Sequence, residues 1–82
     1  MRIDYDHPRV VNALKLAPAN VRKAFFKQIG FLAENLQHPS LHAKKYDEAQ
    51  DPWQARVNND WRFYFMIVGD ACIVLDLIRH PK

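Results

Sequence analysis

The 82-residue chain is 49% hydrophobic and 26% charged with a formal net charge of +3, a composition that argues against disorder and fits one domain spanning residues 1–82. Its two glycines, Gly30 and Gly69, exclude a glycine-rich phosphate loop or dinucleotide fingerprint. Its one cysteine, Cys72, excludes an internal disulfide and a cysteine zinc site. The positive excess lies in residues 1–43, which carry six bases against three acids, whereas residues 44–82 carry six of each.

A chain of this size buries about 60–65% of its unfolded surface, so the core is thin. The surplus charge suits an anionic partner and equally suits a soluble domain with solvated lysines. No apolar run approaches membrane-spanning length, no charged-then-apolar leader is visible, and a lone cysteine fits a reducing, cytoplasmic setting.

In chain order, Arg2 to Tyr5 alternates polar and apolar residues and reads as a short first strand. His7-Pro8 opens a segment whose apolar positions, Val10, Val11, Leu14 and Leu16, predict a short helix ended by Pro18. Pro18 suits the first turn of a second helix, expected to run to about Gln37. Its apolar stripe is Val21, Phe25, Ile29, Leu32 and Leu36, widened by Ala24, Phe26, Phe31 and Ala33. Arg22, Lys23, Lys27, Gln28 and Glu34 are placed on the opposite, polar side. Gly30 inside this helix costs roughly 1 kcal/mol relative to alanine and suggests close packing on the first helix. Residues 38–52 read as a loop anchored by Leu41 and Tyr46.

The period then changes to two. Trp53 to Asn58, Trp61 to Val68 and Ala71 to Ile78 read as strands, joined by turns at Asn58-Asn59-Asp60 and Gly69-Asp70. Helices followed by a hairpin meander predict an α+β fold, with two N-terminal helices packed on one face of a small antiparallel sheet. Alternation assigns Ala55, Val57, Phe63, Phe65, Ile67, Ile73, Leu75 and Leu77 to the helix-covered face. Gln54, Arg56, Asn58, Arg62, Tyr64, Met66, Val74, Asp76, Ile78 and His80 fall on the open face. Trp53 and Trp61 have core parity and are expected to close the ends of the core.

Arg56 and Arg62 lie symmetrically about the Asn58–Asp60 turn, so they should face each other. Like charges opposite one another destabilise a strand pair. Two readings follow: an anion sits between the two guanidinium forks, or an acid such as Asp60 or Asp76 neutralises them. His80, two residues beyond the open-face Ile78, is either a proton-transfer group or a frayed terminal residue. His7, His38 and His42 fall in loop or helix-start positions, with no pair at metal-ligand spacing beside a carboxylate. Lys44-Lys45 either adds charge to the same face or is simply solvated. No Ser/His/acid arrangement and no carboxylate pair supports those hydrolase classes.

Taken in order, His38-Pro39-Ser40-Leu41, Lys44-Lys45, Trp53-x-Ala55-Arg56-Val57, Trp61-Arg62-Phe63-x-Phe65, Gly69-Asp70 and a closing apolar strand ending in His80 resemble the RelE/ParE toxin superfamily. These are the small toxins of bacterial type II toxin–antitoxin modules, and the resemblance spans nearly the whole chain. RelE- and YoeB-like members are metal-independent, cofactor-free endoribonucleases that cut mRNA, mostly on the ribosome, and are neutralised by a cognate antitoxin. Their reaction leaves a 2′,3′-cyclic phosphate and a 5′-hydroxyl.

By this resemblance Arg56, Arg62 and His80 would be catalytic. Lys44, Lys45, Gln54, Tyr64 and Arg79 would bind RNA, the two lysines along its backbone and Tyr64 by stacking on or orienting a base. The chain departs from the pattern in three places. Gln54 replaces a second lysine. Asp47, Glu48 and Asp51 do not match the acidic base of YoeB-like members. No tyrosine follows His80. The alternatives are a ParE-like inhibitor acting by binding DNA gyrase, and a degenerate, non-catalytic member.

Overall fold

The computed structural model describes residues 1–45 and 52–80. The anchoring expected of Tyr46, the acids Asp47, Glu48 and Asp51, and Pro81 and Lys82 lie outside these residues. The elements are β1 (Arg2–Asp4), α1 (Pro8–Leu16), α2 (Ala19–Glu34), a 3₁₀ turn (Pro39–Leu41), β2 (Lys44–Lys45), β3 (Trp53–Arg56), β4 (Trp61–Val68) and β5 (Ala71–Arg79). The strands form one sheet in the order β1-β5-β4-β3-β2. All neighbours are antiparallel except β1, which runs parallel to β5 through Arg2↔Ala71, Ile3↔Cys72 and Asp4↔Ile73.

Local chemistry explains the boundaries. His7 Nδ1 accepts the Arg9 amide at 3.1 Å and Pro8 occupies the first turn, which starts α1. The Pro18 carbonyl accepts the amides of Val21 and Arg22 at the start of α2. That helix stops at Glu34 rather than Gln37, because Asn35 adopts an extended conformation. The span expected to be loop contains the 3₁₀ turn and the two-residue β2, since Lys44 and Lys45 pair with Gln54 and Trp53. Gly69 takes φ 60° and Asp70 does not follow it into positive φ. This is the pattern of a type II′ turn, whose twist matches the flanking strands.

The core lies between the helices and one face of the sheet. Phe25 of α2 meets Phe63 edge-to-face with centroids 5.6 Å apart, and Leu32, Leu41, Phe65, Val74 and Leu77 are buried around them. Trp53 and Trp61 are half-buried against this cluster. Edge-to-face aromatic pairs contribute about 0.5–1.5 kcal/mol beyond their buried area.

Three sequence expectations are corrected. The face assignment fails in the first half of β5. Tyr64 pairs with Asp76 but Phe65 pairs with Val74, leaving Leu75 as an extra residue in a β-bulge. The bulge reverses parity before it, so Val74 is 0% exposed and belongs to the core with Cys72, while Ile73 pairs with Met66 and Leu75 is half-buried. Gln28 is 4% exposed and packs inward, because it lies three residues from Phe25 and four from Leu32 on the same helical stripe. Gly30 packs against nothing: a side chain there would meet open space.

Candidate active site: a basic cleft

The open face carries its polar residues in rows set by strand register. One row is Lys44, Gln54, Tyr64 and Asp76; the next is Arg56, Arg62 and Ile78. Arg56 and Arg62 are direct cross-strand partners. The turn that joins their strands is fixed by Asn58, whose Oδ1 accepts the amides of Asp60 and Trp61, both at 2.9 Å. This Asx-type turn sets the register that brings the arginines together.

Neither guanidinium has a carboxylate partner among the described residues. Arg62 Nη1 donates to the carbonyls of Asn58 (2.7 Å) and Trp61 (2.9 Å). Arg56 Nε donates to Asn58 O at 3.4 Å, and its Nη2 donates to Asn59 Oδ1. Asp76 does not neutralise the pair; its carboxylate lies 4.0 Å from Arg9 of α1 and accepts the Leu77 amide. Each guanidinium is oriented by neutral oxygens, and among the described residues no carboxylate pairs with it.

His80 is fixed at the same end of the sheet. Its backbone amide donates to Asp60 O at 2.6 Å, tying the end of β5 to the β3–β4 turn. His42, Ala43, Lys44, Gln54, Arg56, Arg62 and His80 together line an open cleft of about 470 Å³. Among the described residues, every ionisable side chain on this wall is basic or imidazole.

Register separates the remaining candidates. Lys45 pairs with Trp53 and so has the opposite parity from Lys44. Tyr64 shares the open face with Gln54 but stands outside the cleft wall. Arg79 pairs with Trp61 and lines a separate cavity of about 350 Å³ together with Pro18, Asn20, Val21, Asn58, Asp60 and Trp61.

Two residues of the site were not singled out by the sequence. His42 follows the 3₁₀ turn with φ 46° and ψ 42°, a left-handed conformation uncommon for a residue with a side chain. Gln28 reaches the back of the cleft: its Nε2 donates to Arg56 O at 2.7 Å and to Ser40 O at 3.0 Å, and its Oε1 accepts from Ser40 Oγ at 3.0 Å. The spacing of Gln28 from Phe25 and Leu32 was a usable signal for its burial. Periodicity offers none for His42.

No protein-family model matches the chain, and no curated protein matches it by sequence. Its structure is similar to a chain of the crystal structure of the RelB–RelE antitoxin–toxin complex from Methanococcus jannaschii. The TM-score is 0.72 at 18% identity, covering 96% of this chain and 89% of that one. Among the described residues two helices lie on a five-stranded, mostly antiparallel open sheet, and this chain has a RelE-like fold.

Proposed function

We propose that the chain is the toxin of a type II toxin–antitoxin system and acts as a metal-independent mRNA endonuclease, working on the ribosome and held in check by a cognate antitoxin. The observation that carries this reading is the cleft itself. Two facing arginines with no acidic partner among the described residues, a lysine and a histidine converge on one open face. Planar guanidinium forks suit a phosphate, and paired cations suit the extra negative charge that phosphate gains in its transition state.

The reaction joins the ribose 2′-oxygen to the adjacent phosphorus and breaks the bond to the 5′-oxygen of the next nucleotide. Arg56 and Arg62 hold the phosphate. His80 transfers a proton. Lys44 and Gln54 lie along the same wall and contact the strand beside it, and Tyr64 on the same face extends contacts beyond the cleft, whereas Lys45 and Arg79 have the opposite parity and take no part.

The test is inducible expression of the chain alone and together with its neighbouring gene, with growth and transcript ends measured in parallel. Growth arrest with 2′,3′-cyclic phosphate ends, relieved by the neighbour, is expected. Arrest with intact transcripts and DNA-damage signalling would replace this reading with gyrase inhibition. Unimpaired growth with intact transcripts would leave a non-catalytic member of the fold.

A further inference from the structure

Transfer of phosphorus from one oxygen to another needs two proton transfers: one from the attacking 2′-hydroxyl and one to the departing 5′-oxygen. Among the described residues the cleft wall contains no carboxylate, and its lysine and arginines are suited to holding charge. It does contain a second imidazole. We infer that His42 is the second proton-transfer group and works as an acid–base pair with His80. This inference rests on the nuclease reading above.

Sheet order supplies the geometry. His80 follows β5, Arg62 is on β4, Arg56 is on β3, and His42 lies just before β2. The two cations therefore occupy the middle of the cleft, with one histidine on either side. In-line displacement requires that arrangement, because the attacking and departing oxygens lie on opposite sides of the phosphorus.

His42 is also a held residue. Its amide donates to Pro39 O at 3.3 Å, and its left-handed backbone turns the chain sharply between the 3₁₀ turn and β2. The 3₁₀ turn is fixed from behind by the Gln28–Ser40 hydrogen bonds, and Gln28 also holds the Arg56 carbonyl. One buried amide thus sets the His42 segment against the arginine strand. The charged and titratable residues lining the three cavities that His42 borders are His38, Lys44, Arg56, Arg62 and His80, with no carboxylate among the described residues there.

The step balances within the chain. One neutral imidazole takes the 2′-hydroxyl proton as the 2′-oxygen bonds to phosphorus. The other, as imidazolium, gives a proton to the 5′-oxygen as its bond to phosphorus breaks. The histidines end in exchanged protonation states, and no co-reactant is consumed.

The test uses purified full-length protein, the variants His42→Gly and His80→Ala, and oligoribonucleotides with either oxygen or sulfur at the bridging 5′ position of the cut site. Glycine adopts positive φ without strain, so His42→Gly keeps the backbone and removes only the ring. Each variant should lose roughly 100–10,000-fold in cleavage rate while retaining RNA affinity. Sulfur departs without a proton, so it should restore cleavage to the variant lacking the acid and not to the variant lacking the base. Added imidazole should partly restore His42→Gly, which it would not do for a purely structural loss. If the parent cuts RNA and His42→Gly cuts at the same rate, the inference fails and the nuclease reading stands. Equal losses on both substrates in both variants, without imidazole rescue, would likewise overturn it. A parent that cuts no RNA on or off the ribosome would overturn the nuclease reading and this inference together.

Discussion

Arg56 and Arg62 stand opposite each other across β3 and β4 and donate to one shared acceptor, the carbonyl oxygen of Asn58. Two cations meeting at a single neutral oxygen repel each other, and no carboxylate among the described residues pairs with either. An anion that binds between them relieves the repulsion and stabilises the folded chain by an amount that grows with the logarithm of its concentration once that exceeds the dissociation constant.

Phosphate should therefore raise the melting temperature of the parent, and it should raise that of Arg62→Ala much less. The same substitution should lower RNA cleavage by about 100–1000-fold, the usual cost of removing one preorganised cation from a developing negative charge. It should also reduce the slope of log affinity against log salt by about 0.7, the value for one phosphate contact on a single strand. A variant that keeps the parental salt slope and rate would remove Arg62 from the site.

The arginine pair was legible in the sequence because a short turn and a period of two fix cross-strand partners arithmetically. The same arithmetic failed at Val74. One additional residue at Leu75 reverses every assignment before it, and a run of apolar residues such as Ala71–Leu75 gives no polar marker to reveal the slip. Gln28 was misplaced for a related reason. Its position on the helix pointed inward, but a glutamine reads as surface until buried carbonyls are available to receive its amide, and those carbonyls come from residues 12 and 28 positions away. His42 owes its place to a left-handed backbone turn, which residue type alone did not announce.

Gly30 lies in the interior of α2, and a β-carbon added there meets open space. Nothing in the described structure requires a glycine at this position. Gly30→Ala should therefore stabilise the chain by about 1 kcal/mol, chiefly by restricting the unfolded state. For a domain of this size that corresponds to a melting temperature about 4–8 °C higher. Thermal unfolding of the two proteins measures it directly, and a lower melting temperature in the variant would mean that the position has a packing partner.

Burial raises the Cys72 thiol above its ordinary value of 9.0, opposed in part by the positive N-terminal amine. The folded chain thus holds this proton more tightly than the unfolded chain. Below about pH 9 both states keep the proton and the contribution is intact. As pH rises further, the unfolded state loses its proton first, so stability falls until the folded thiol also ionises. In denaturant titrations over this alkaline range, Cys72→Ala should decline less steeply than the parent. Parallel curves for the two proteins would show that the thiol is not coupled to folding.

Gln28 is the buried polar side chain on which the rear wall of the cleft depends. Its amide group gives two donors to the carbonyls of Arg56 and Ser40 and one acceptor to the Ser40 hydroxyl, so three bonds join α2, β3 and the 3₁₀ turn. Gln28→Leu retains much of the side-chain volume but leaves those groups without partners. An unsatisfied buried polar group typically costs about 1–3 kcal/mol, and stability should fall by an amount in that range. Gln28→Glu should be at least as damaging near neutral pH, because a carboxylate would face two carbonyl oxygens that require donors. Urea unfolding should show both variants with a lower midpoint and an unchanged slope, the signature of lost native-state contacts rather than an altered unfolded state. A Gln28→Leu protein as stable as the parent would mean that packing alone holds the Ser40 segment against Arg56.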